Sequence, residues 1–508
     1  MTTATPTLYV STAIPFVNST PHLGFALELC IADAIARHAR ARGRRVKFVT
    51  GTDDHSLKNV LAAERAGLRP SELVARNAEQ FRQLGAALQI SHDAFVSTSQ
   101  SAAHPPAVYA LWHACAARGD LYRDTYRGLY CVGCERFADP GEERCPEHAA
   151  PLDPVEETNW FFRLSRYGDL VREGIETGRL PISHAGAREE ALAFLREPLR
   201  DLCVSRSAAR ARNWGLPVPG DPSQVIWVWF DALAYYLSSL GFGGEEAEYA
   251  HFWQSEQPRV QVIGKGVARF HSVFWPAILA SAGVPWPTQL LVHGYLTVDG
   301  AKISKSGQSL DPAPWLRDYG SDALRYYLLR HVRTGHDGDF RADRFDRAYH
   351  AELANGLGNL VNRVFGLLQR ANGSAIPASG SPGPEANALR GLTLSLPAEV
   401  DAAIERGAID QALAAVFERV AAANRTVDRC APWADIRAGQ PEATHALLRV
   451  LLDCLRVLAA EAAPFLPHAC ARLTQALGVG PNDALPEGAR VPGSLALFPR
   501  IQERSPSR

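Results

Sequence analysis

The sequence predicts an α/β protein in which a parallel sheet carries an inserted module and is followed by an all-α helix bundle. The chain opens with an apolar strand at 7–14, a turn-rich loop, a helical pattern at 22–42 and a second strand at 46–52. The sequence becomes polar and cysteine-bearing between about 115 and 212. After about residue 342 the apolar residues recur with helical periodicity. These three observations predict the fold class.

The order of the elements predicts how the sheet is built. Strand, helix, strand and helix in succession are typical of a Rossmann-like nucleotide-binding sheet, because parallel strands are joined by helical crossovers. Three further apolar segments, at 225–232, 260–266 and 289–298, are interpreted as buried strands in which the sheet resumes. The helical sequence that follows predicts a separate bundle of roughly 160 residues.

Length and composition limit the class of protein. A chain of 508 residues predicts about three to four domains. We expect the first half of the sheet domain at 1–114, the inserted module at 115–225, the second half at 226–345 and the helical domain at 346–508. Hydrophobic residues at 46% and charged residues at 21% exclude disordered and fibrous chains.

Charge and cysteine usage predict the compartment. The net charge of −1 excludes a uniformly basic nucleic-acid coat but allows a local basic face. The first residues do not form a signal-peptide pattern, and the apolar stretches are too short or too charged for a membrane span. Nine scattered cysteines fit a reducing compartment. We therefore expect a cytoplasmic protein with no membrane association.

Lysine is scarce, and its placement is informative. The chain has five lysines against 48 arginines: Lys47, Lys58, Lys265, Lys302 and Lys305. Arginine replaces lysine freely on a solvated surface, but not where a compact ammonium must fit between phosphate oxygens. Three of the five lie in two short segments, IGKG and AKISKSG, so these segments are candidate anion sites.

The first candidate site is the segment PHLGF at 21–25, directly after the first strand. The unpaired N–H groups and the dipole of a helix that begins here favour an anion, Gly24 allows close approach of a ligand, and His22 adds a donor. Taken alone, a histidine at a helix start is more often a surface or capping residue. Phosphate is the expected ligand.

The second candidate site is VDGAKISKSGQS. Lys302 and Lys305 lie three residues apart between hydroxyl side chains, and the flanking Gly300 and Gly307 predict a mobile loop. Two ammonium groups at this spacing can bind a polyphosphate. A solvated charged loop is the alternative, but it conflicts with the scarcity of lysine elsewhere in the chain.

The inserted module carries a metal-binding pattern. Cys131 and Cys134 are followed, after ten residues, by Cys145 and His148. Two short chelating pairs supply three sulfurs and one nitrogen for a tetrahedral Zn²⁺. Four protein ligands close the coordination sphere, so we expect the zinc to be structural.

The motifs taken together resemble the class I aminoacyl-tRNA synthetases, and within them the methionyl-tRNA synthetases. The matching segments, in order, are YVSTAIPFVNSTPHLG, TGTDDH, NWGLPVPGD, VWFDAL, RFHSVFWPA, HGYLTVDGAKISKS and APW. The resemblance implies that ATP and Mg²⁺ activate L-methionine as methionyl-adenylate, which is transferred to tRNA(Met). It also implies a single zinc knuckle in the connective-peptide insertion and a helical anticodon-binding domain.

The resemblance also implies roles for individual residues. The catalytic positions are His22, Lys302 and Lys305. The matched ATP-binding positions are Pro21, His22, Gly24, His293, Gly294, Lys302, Ser304 and Lys305. Those for the amino acid are Ala13, Ile14, Asp53, Trp229, Ala232, Tyr236, Val267, Phe270, His271 and Trp275, with Asp53 receiving the ammonium. Those for the anticodon are Asn359, Arg363 and Trp433.

Four positions near the expected active site depart from the family pattern. Phe25 replaces the second histidine of HLGH, Phe16 a tyrosine, Ser56 a glycine and Gly266 an acid. Two alternatives therefore stand beside the main hypothesis. One is a paralogue that activates another amino acid or charges a non-tRNA acceptor. The other is a non-catalytic descendant that binds RNA or a partner. We expect a monomer.

Overall fold

The chain divides into two compact units. A computed structural model describes residues 5–131, 136–138, 142–145, 151–298, 301–302, 311–480 and 483–501. The first unit comprises residues 1–86, 90–295 and 304–310, and the second comprises 87–89, 296–303 and 311–508. The second unit thus begins about fifty residues before the boundary expected at 346.

The first unit is built on a parallel sheet of five strands. Its strands and helices in chain order are β1 Thr7–Thr12, α1 Leu23–Ala41, β2 Arg45–Thr52, α2 Leu57–Ala66, α3 Pro70–Ala87, β3 Ala94–Ser97, α4 His104–Ala117, β4 Leu121–Cys131, β5 Arg136–Phe137, β6 Asp153–Phe162, α5 Gly168–Glu176, α6 Ala185–Arg196, β7 Leu202–Cys203, β8 Ser205–Ser207, β9 Pro217–Val218, β10 Asp221–Ile226, α7 Val228–Leu233, α8 Tyr235–Ser238, α9 Ala247–Tyr249, β11 Arg259–Gly264, α10 Trp275–Ala282 and β12 Gln289–His293. The order across the sheet is β12-β11-β1-β2-β3.

Strand β1 lies at the centre of this sheet. All six of its residues are buried, and Val10 is paired in parallel with Phe48 of β2 on one side and with Val260 of β11 on the other. The chain leaves β1 through α1 toward β2, whereas β11 lies on the opposite side. The strand order therefore reverses at β1, and ligands of open α/β sheets bind in the crevice outside the carboxyl ends of the strands at such a point.

The inserted module carries two small antiparallel sheets, in the orders β5-β4-β6-β7 and β8-β10-β9. The longest pairing joins β4 and β6, from Leu121 opposite Phe162 to Tyr130 opposite Asp153. The predicted change of character after residue 115 therefore corresponds to a change from parallel to antiparallel pairing.

The prediction of a buried strand at 225–232 is wrong over most of its length. Strand β10 ends at Ile226 and pairs with β8 and β9 rather than with the parallel sheet, and helix α7 begins at Val228. A short apolar run that is buried on all sides has no periodicity that separates strand from helix. The segment at 289–298 is likewise divided, because β12 ends at His293.

The second unit is mainly helical, as expected after residue 342. Its elements are β13 Leu296–Val298, β14 Ala301–Lys302, α11 Ala313–Tyr319, α12 Ser321–His331, β15 Gly338–Asp339, α13 Ala342–Ala348, a π-helical segment Tyr349–Gly358, α14 Asn359–Asn372, α15 Pro384–Glu405, α16 Ile409–Cys430, α17 Trp433–Arg437, α18 His445–Ala462 and α19 Pro467–Leu477. The long helices α15, α16 and α18 pack against one another. Across the described part of the chain, every helix is too short or too polar to span a bilayer.

Candidate active site

The helix start predicted near residue 22 is present. Helix α1 begins at Leu23, and His22 is its N-cap, with an extended backbone. The Nδ1 atom of His22 accepts a hydrogen bond from the N–H of Gly24 at 3.0 Å. A neutral imidazole bound in this way carries its proton on Nε2, which is therefore a donor. A Cβ atom at position 24 would lie 2.9 Å from the His22 ring, so any other residue there would require this ring to shift.

The loop after β2 fixes the backbone of Asp53. The N–H of Asp53 donates to the carbonyl of Pro15 at 2.9 Å. The side-chain amide of Asn59 donates to the carbonyls of Asp53 and Asp54 at 3.0 and 2.8 Å, and the Trp214 indole donates to that of Asp54 at 2.7 Å. Asp53 is 1% exposed. Its carboxylate therefore lies on a rigid backbone at the carboxyl end of a strand next to β1.

The neighbouring Asp54 holds the loop rather than facing a ligand. Its carboxylate accepts hydrogen bonds from the hydroxyl of Ser97, and from the N–H and hydroxyl of Ser99 at 3.1 and 2.7 Å. Its own N–H donates to the Thr98 hydroxyl at 2.9 Å. Of the two acids in TGTDDH, Asp54 connects β2 to β3. The sequence alone does not distinguish the two acids, whereas their contacts in the structure do.

An aromatic wall is formed by residues from α7, α8 and the segment after β11. The rings of Trp229 and Phe270 are stacked, with centroids 3.7 Å apart and planes at 8°. Phe16 approaches Trp229 at 6.2 Å, and the Tyr236 and Trp275 rings are 6.1 Å apart. The other predicted pocket residues are Ala232, which is buried, and Ala13, Ile14 and Val267, which are half-buried against the same apolar cluster. The structure thus brings the predicted apolar residues together.

His271 is the polar member of this wall and is held in one protonation state. Its Nδ1 lies 2.9 Å from the carbonyl of Val267 and its Nε2 lies 2.8 Å from the hydroxyl of Tyr236. Since a carbonyl only accepts, the Nδ1–H donates to it and Nε2 accepts from Tyr236. Burial lowers the pKa of His271 to about 4. The ring is therefore neutral near pH 7.

A buried carboxylate on α1 orients the histidine at the end of β12. Glu28 Oε2 lies 3.0 Å from His293 Nε2, and His293 Nδ1 lies 2.8 Å from the carbonyl of Gly294. Burial raises the pKa of Glu28, and the hydrogen bond and charge of His293 oppose this effect. Sequence reasoning named His293 and missed Glu28. The available signal was a carboxylate on the otherwise apolar face of α1.

A second buried charged group was also missed. Asp231 of α7 contacts His55 Nδ1 at 2.7 Å and His104 Nε2 at 2.9 Å, and it is 1% exposed. Burial alone would raise the pKa of Asp231, but the charges and hydrogen bonds of the two histidines hold it far below its usual range. Burial would lower the pKa of His55, but the facing Asp231 raises it. This group connects the TGTDDH loop to α7 and α4.

Two of the residues that differ from the family pattern make clear contacts with their neighbours. Phe25 is 6% exposed, and its ring packs edge-on against Phe81 of α3 at 5.0 Å. Ser56 is the N-cap of α2, and its hydroxyl accepts from the N–H of Lys58 at 3.1 Å. Two of the four replacements therefore have local structural roles.

Several predicted site residues lie outside the described residues. These are Ser304 and Lys305 of the KISKS segment, and Cys134 and His148 of the metal pattern. Lys302 lies in strand β14. Cys131 and Cys145 are both buried, at 2% and 1% exposure. Among the described residues, which include only these two of the four expected ligands, histidine, cysteine and acidic side chains form no cluster of three suited to a metal.

In the second unit, the three predicted anticodon residues lie on α14 and α17. Asn359 is the exposed first residue of α14. The guanidinium of Arg363 lies 5.9 Å from the centre of the Trp433 ring and contacts Asp428 at 2.5 Å. The structure therefore brings Arg363 and Trp433 together as a planar cation and an aromatic ring.

Comparison with known proteins agrees with this geometry. The class I tRNA synthetase model of the methionine type matches residues 8–152 and 148–365, so the fold and site define a class I aminoacyl-tRNA synthetase. The model for the anticodon-binding domain of methionyl-tRNA ligase matches residues 376–499. The chain belongs to the methionyl-tRNA synthetase family.

Individual relatives match along almost the whole chain. The methionine–tRNA ligase of Mesorhizobium japonicum is 35% identical, covering 98% of both chains. That of Clostridium perfringens is 36% identical over 97% of this chain and 78% of its own length. The Mycobacterium tuberculosis methionyl-tRNA synthetase in complex with methionyl-adenylate superposes with a TM-score of 0.92 at 32% identity, covering 97% of this chain and all of that one.

Proposed function

We propose that this protein is a methionine–tRNA ligase that activates L-methionine with ATP and transfers the methionyl group to tRNA(Met). The observation that carries the proposal is the arrangement around β1. The His22 helix start, the rigid Asp53 loop and the segment with Phe270 follow the carboxyl ends of three adjacent strands, β1, β2 and β11. Trp229 of α7 completes the wall by stacking on Phe270. A relative with 32% identity and the same fold binds methionyl-adenylate, the product of the first step.

The amino-acid half of the site suits methionine. Asp53 supplies a fixed carboxylate for the substrate ammonium, and Trp229, Phe270 and Trp275 supply an apolar surface for the side chain. A thioether gains about 0.3–1.5 kcal/mol from contact with an aromatic ring. The neutral His271 and the Tyr236 hydroxyl satisfy each other, so the wall can be polar at this point without an unpaired charge.

The ATP half follows from the helix start and the lysine segment. The methionine carboxylate attacks the α-phosphorus in line, a carboxylate oxygen–phosphorus bond forms, and pyrophosphate leaves. His22, with Pro21 and Gly24, binds phosphate oxygens at the start of α1, and Lys302, Ser304 and Lys305 neutralise the charge that spreads over them. His293 and Gly294 bind the nucleotide from the end of β12. Mg²⁺ accompanies the polyphosphate as part of the substrate.

The second step transfers the methionyl group. The 2′-OH of the terminal ribose attacks the carbonyl carbon of the adenylate, the new ester forms, and AMP leaves. In the helical domain, the exposed Asn359 would hydrogen-bond unstacked bases, and Arg363 and Trp433 would stack on them. Single-stranded loops are read in this way. We assign these three residues to the CAU anticodon. The enzyme acts as a cytoplasmic monomer in this proposal.

The inserted module would hold a structural zinc. Two of the four expected ligands, Cys131 and Cys145, are buried, and paired cysteine thiolates are typical ligands of a structural zinc. Zinc bound with Cys134 and His148 would cross-link the two short segments of this module that carry the four ligands. We expect about one zinc per purified chain, and loss of the metal in Cys131→Ser but not in Cys430→Ser. Metal analysis and thermal unfolding check this, and a zinc-free wild-type protein would contradict it.

The test of function is methionine-dependent exchange of pyrophosphate into ATP. Lys305→Met should lower the exchange rate by about 10²–10³-fold, the cost of removing a donor to developing charge, without changing thermal unfolding. The matched control is Lys47→Met, at the opposite end of β2 from the site, which should retain the rate. Equal rates in wild type and Lys305→Met would refute the role.

The same assay separates the alternatives. Exchange with each of the twenty amino acids would reveal a paralogue with another substrate. ATP-dependent charging of tRNA(Met) would exclude a non-catalytic RNA-binding descendant, whereas its absence in a stably folded protein would support one.

A further inference from the structure

The turn after β11 lies at the edge of the sheet where the nucleotide is expected. Lys265–Val267 form one turn of 3₁₀ helix directly after Gly264, the last residue of β11. Strand β11 is the neighbour of β1 on the side opposite to β2. The turn and the start of α1 therefore flank the crevice where the strand order reverses.

Gly266 leaves a space in this turn that Tyr295 occupies. A Cβ atom at position 266 would lie 2.6 Å from the Tyr295 hydroxyl oxygen and 3.4 Å from two of its ring carbons. Side-chain atoms do not approach so closely, so a side chain at 266 would require the Tyr295 hydroxyl to leave its observed position. Gly266 has no positive φ. The requirement for glycine there is consequently one of space rather than of backbone conformation.

The ring of Tyr295 is held over the turn. The ammonium of Lys265 lies 4.4 Å from the ring centre, in the range of a cation–π contact. This is one of the five lysines of the chain. The ring is half-buried. Lys265 and Gly266 together therefore determine where the Tyr295 hydroxyl lies.

The position of Tyr295 is linked to α1 through the buried pair described above. Tyr295 follows His293 by two residues, and His293 is fixed by Glu28 of α1. A Cβ atom at Gly264 would lie 3.5 Å from the His293 ring and 3.9 Å from the Glu28 carboxylate. The second turn of α1, the end of β11 and the end of β12 thus meet at one place, and the Tyr295 hydroxyl lies beside it.

We propose that Tyr295 is a nucleotide-contacting residue of this enzyme, and that its hydroxyl, placed above Gly266, hydrogen-bonds an oxygen atom of bound ATP. The inference rests on the proposed activation of methionine by ATP. An acid at position 266 would bring a negative charge into this turn. The tyrosine hydroxyl instead offers a neutral donor, and the glycine makes room for it.

The test is steady-state exchange in Tyr295→Phe, which removes one oxygen and keeps the ring. We expect the KM for ATP to rise by roughly five- to tenfold, the usual cost of one lost hydrogen bond, with the KM for methionine unchanged. Tyr122→Phe is the matched control. It removes a hydroxyl that donates to Asp201 in the inserted module at 2.8 Å, and it should leave both KM values unchanged.

A double-mutant cycle tests the link to Gly266. Gly266→Ala should raise the KM for ATP to the same extent, because the new methyl group displaces the hydroxyl. In the Tyr295→Phe background it should have little further effect, since only ring carbons then face it. Additive effects would overturn the claim that the two positions compete for one space.

Failure of this inference and failure of the proposed function give different results. An unchanged KM for ATP in Tyr295→Phe, with normal methionine-dependent exchange by the wild type, would overturn the role of Tyr295 alone. If the wild type shows no exchange, the same variants are compared by calorimetric titration with ATP. A loss of affinity of the same size would support the contact, and equal affinity would refute it.

Discussion

The protonation of His271 should make the stability of the first unit depend on pH. The ring is 2% exposed, and both of its nitrogens are engaged as a neutral imidazole requires, with Val267 and with Tyr236. Adding a proton would place an uncompensated charge in an aromatic wall and would require the Tyr236 hydroxyl to turn and accept the hydrogen bond it now donates. We therefore expect the folded protein to resist protonation of this residue.

The size of the effect follows from the difference between the two pKa values. Histidine in an unfolded chain titrates near 6.5, whereas burial lowers the pKa of His271 to about 4 in the folded protein. Above pH 6.5 both states are neutral and the stability is fully present. As the pH falls below 6.5, His271 binds a proton in the unfolded chain but stays neutral in the folded chain. The free energy of unfolding then decreases by about 1.4 kcal/mol per pH unit, and by about 3 kcal/mol in total near pH 4.

Urea unfolding of the wild type and of His271→Asn between pH 7.5 and 5 measures this effect. Tryptophan fluorescence reports mainly on the first unit, because eight of the ten tryptophans lie there. Asparagine does not titrate, so the stability advantage of the wild type should shrink by about 2 kcal/mol at pH 5. His113→Asn, at an exposed position on α4, is the control. Parallel pH curves for the wild type and His271→Asn would refute the reasoning.

Two further changes should destabilise the same unit. Asp231→Asn leaves His55 and His104 without their shared carboxylate, and breaking a buried ion pair costs about 3–5 kcal/mol, so the urea midpoint should fall sharply. Phe25→Ala removes a buried ring that packs on Phe81 and should cost about 3–5 kcal/mol, measured in the same way.

Controls for these two changes are available on the surface. Asp169→Asn removes a carboxylate that is 92% exposed and paired with a neighbouring arginine, so its effect should stay below about 1 kcal/mol. A midpoint for Asp231→Asn as high as that of Asp169→Asn would show that the buried group is not an ion pair. For Phe25→Ala, a loss below about 1 kcal/mol would show that the ring is not part of the core.

The elements that were predicted correctly from the sequence are those whose structure is determined by residues within the same segment. The helix expected at 22–42 is observed at Leu23–Ala41, because its apolar periodicity, its cap and its last turn all lie within the segment itself. The strand expected at 225–232 failed because the segment is buried on all sides and its structure is decided by distant partners. Asp231, inside that segment, binds residues 127 and 176 positions away in the chain.

The same distinction applies to the candidate site. His22 and Asp53 could be found because each follows a recognisable strand and belongs to a short motif. Glu28 was missed although it stands on an apolar face of α1, because its role depends on His293, 265 residues away. Nothing in the spacing of either residue indicates that they meet. Hydrogen bonds between residues from remote segments orient the side chains of the site. Only the three-dimensional structure shows which residues form them.

The departures from the family pattern are each accommodated by a neighbouring residue. The hydroxyl of Ser56 caps α2, Phe25 gains a packing partner in α3, and Gly266 makes room for the Tyr295 hydroxyl. Phe16 keeps its approach to the Trp229 ring. The double-mutant cycle at 266 and 295 measures whether the accommodation at Gly266 affects the binding of ATP.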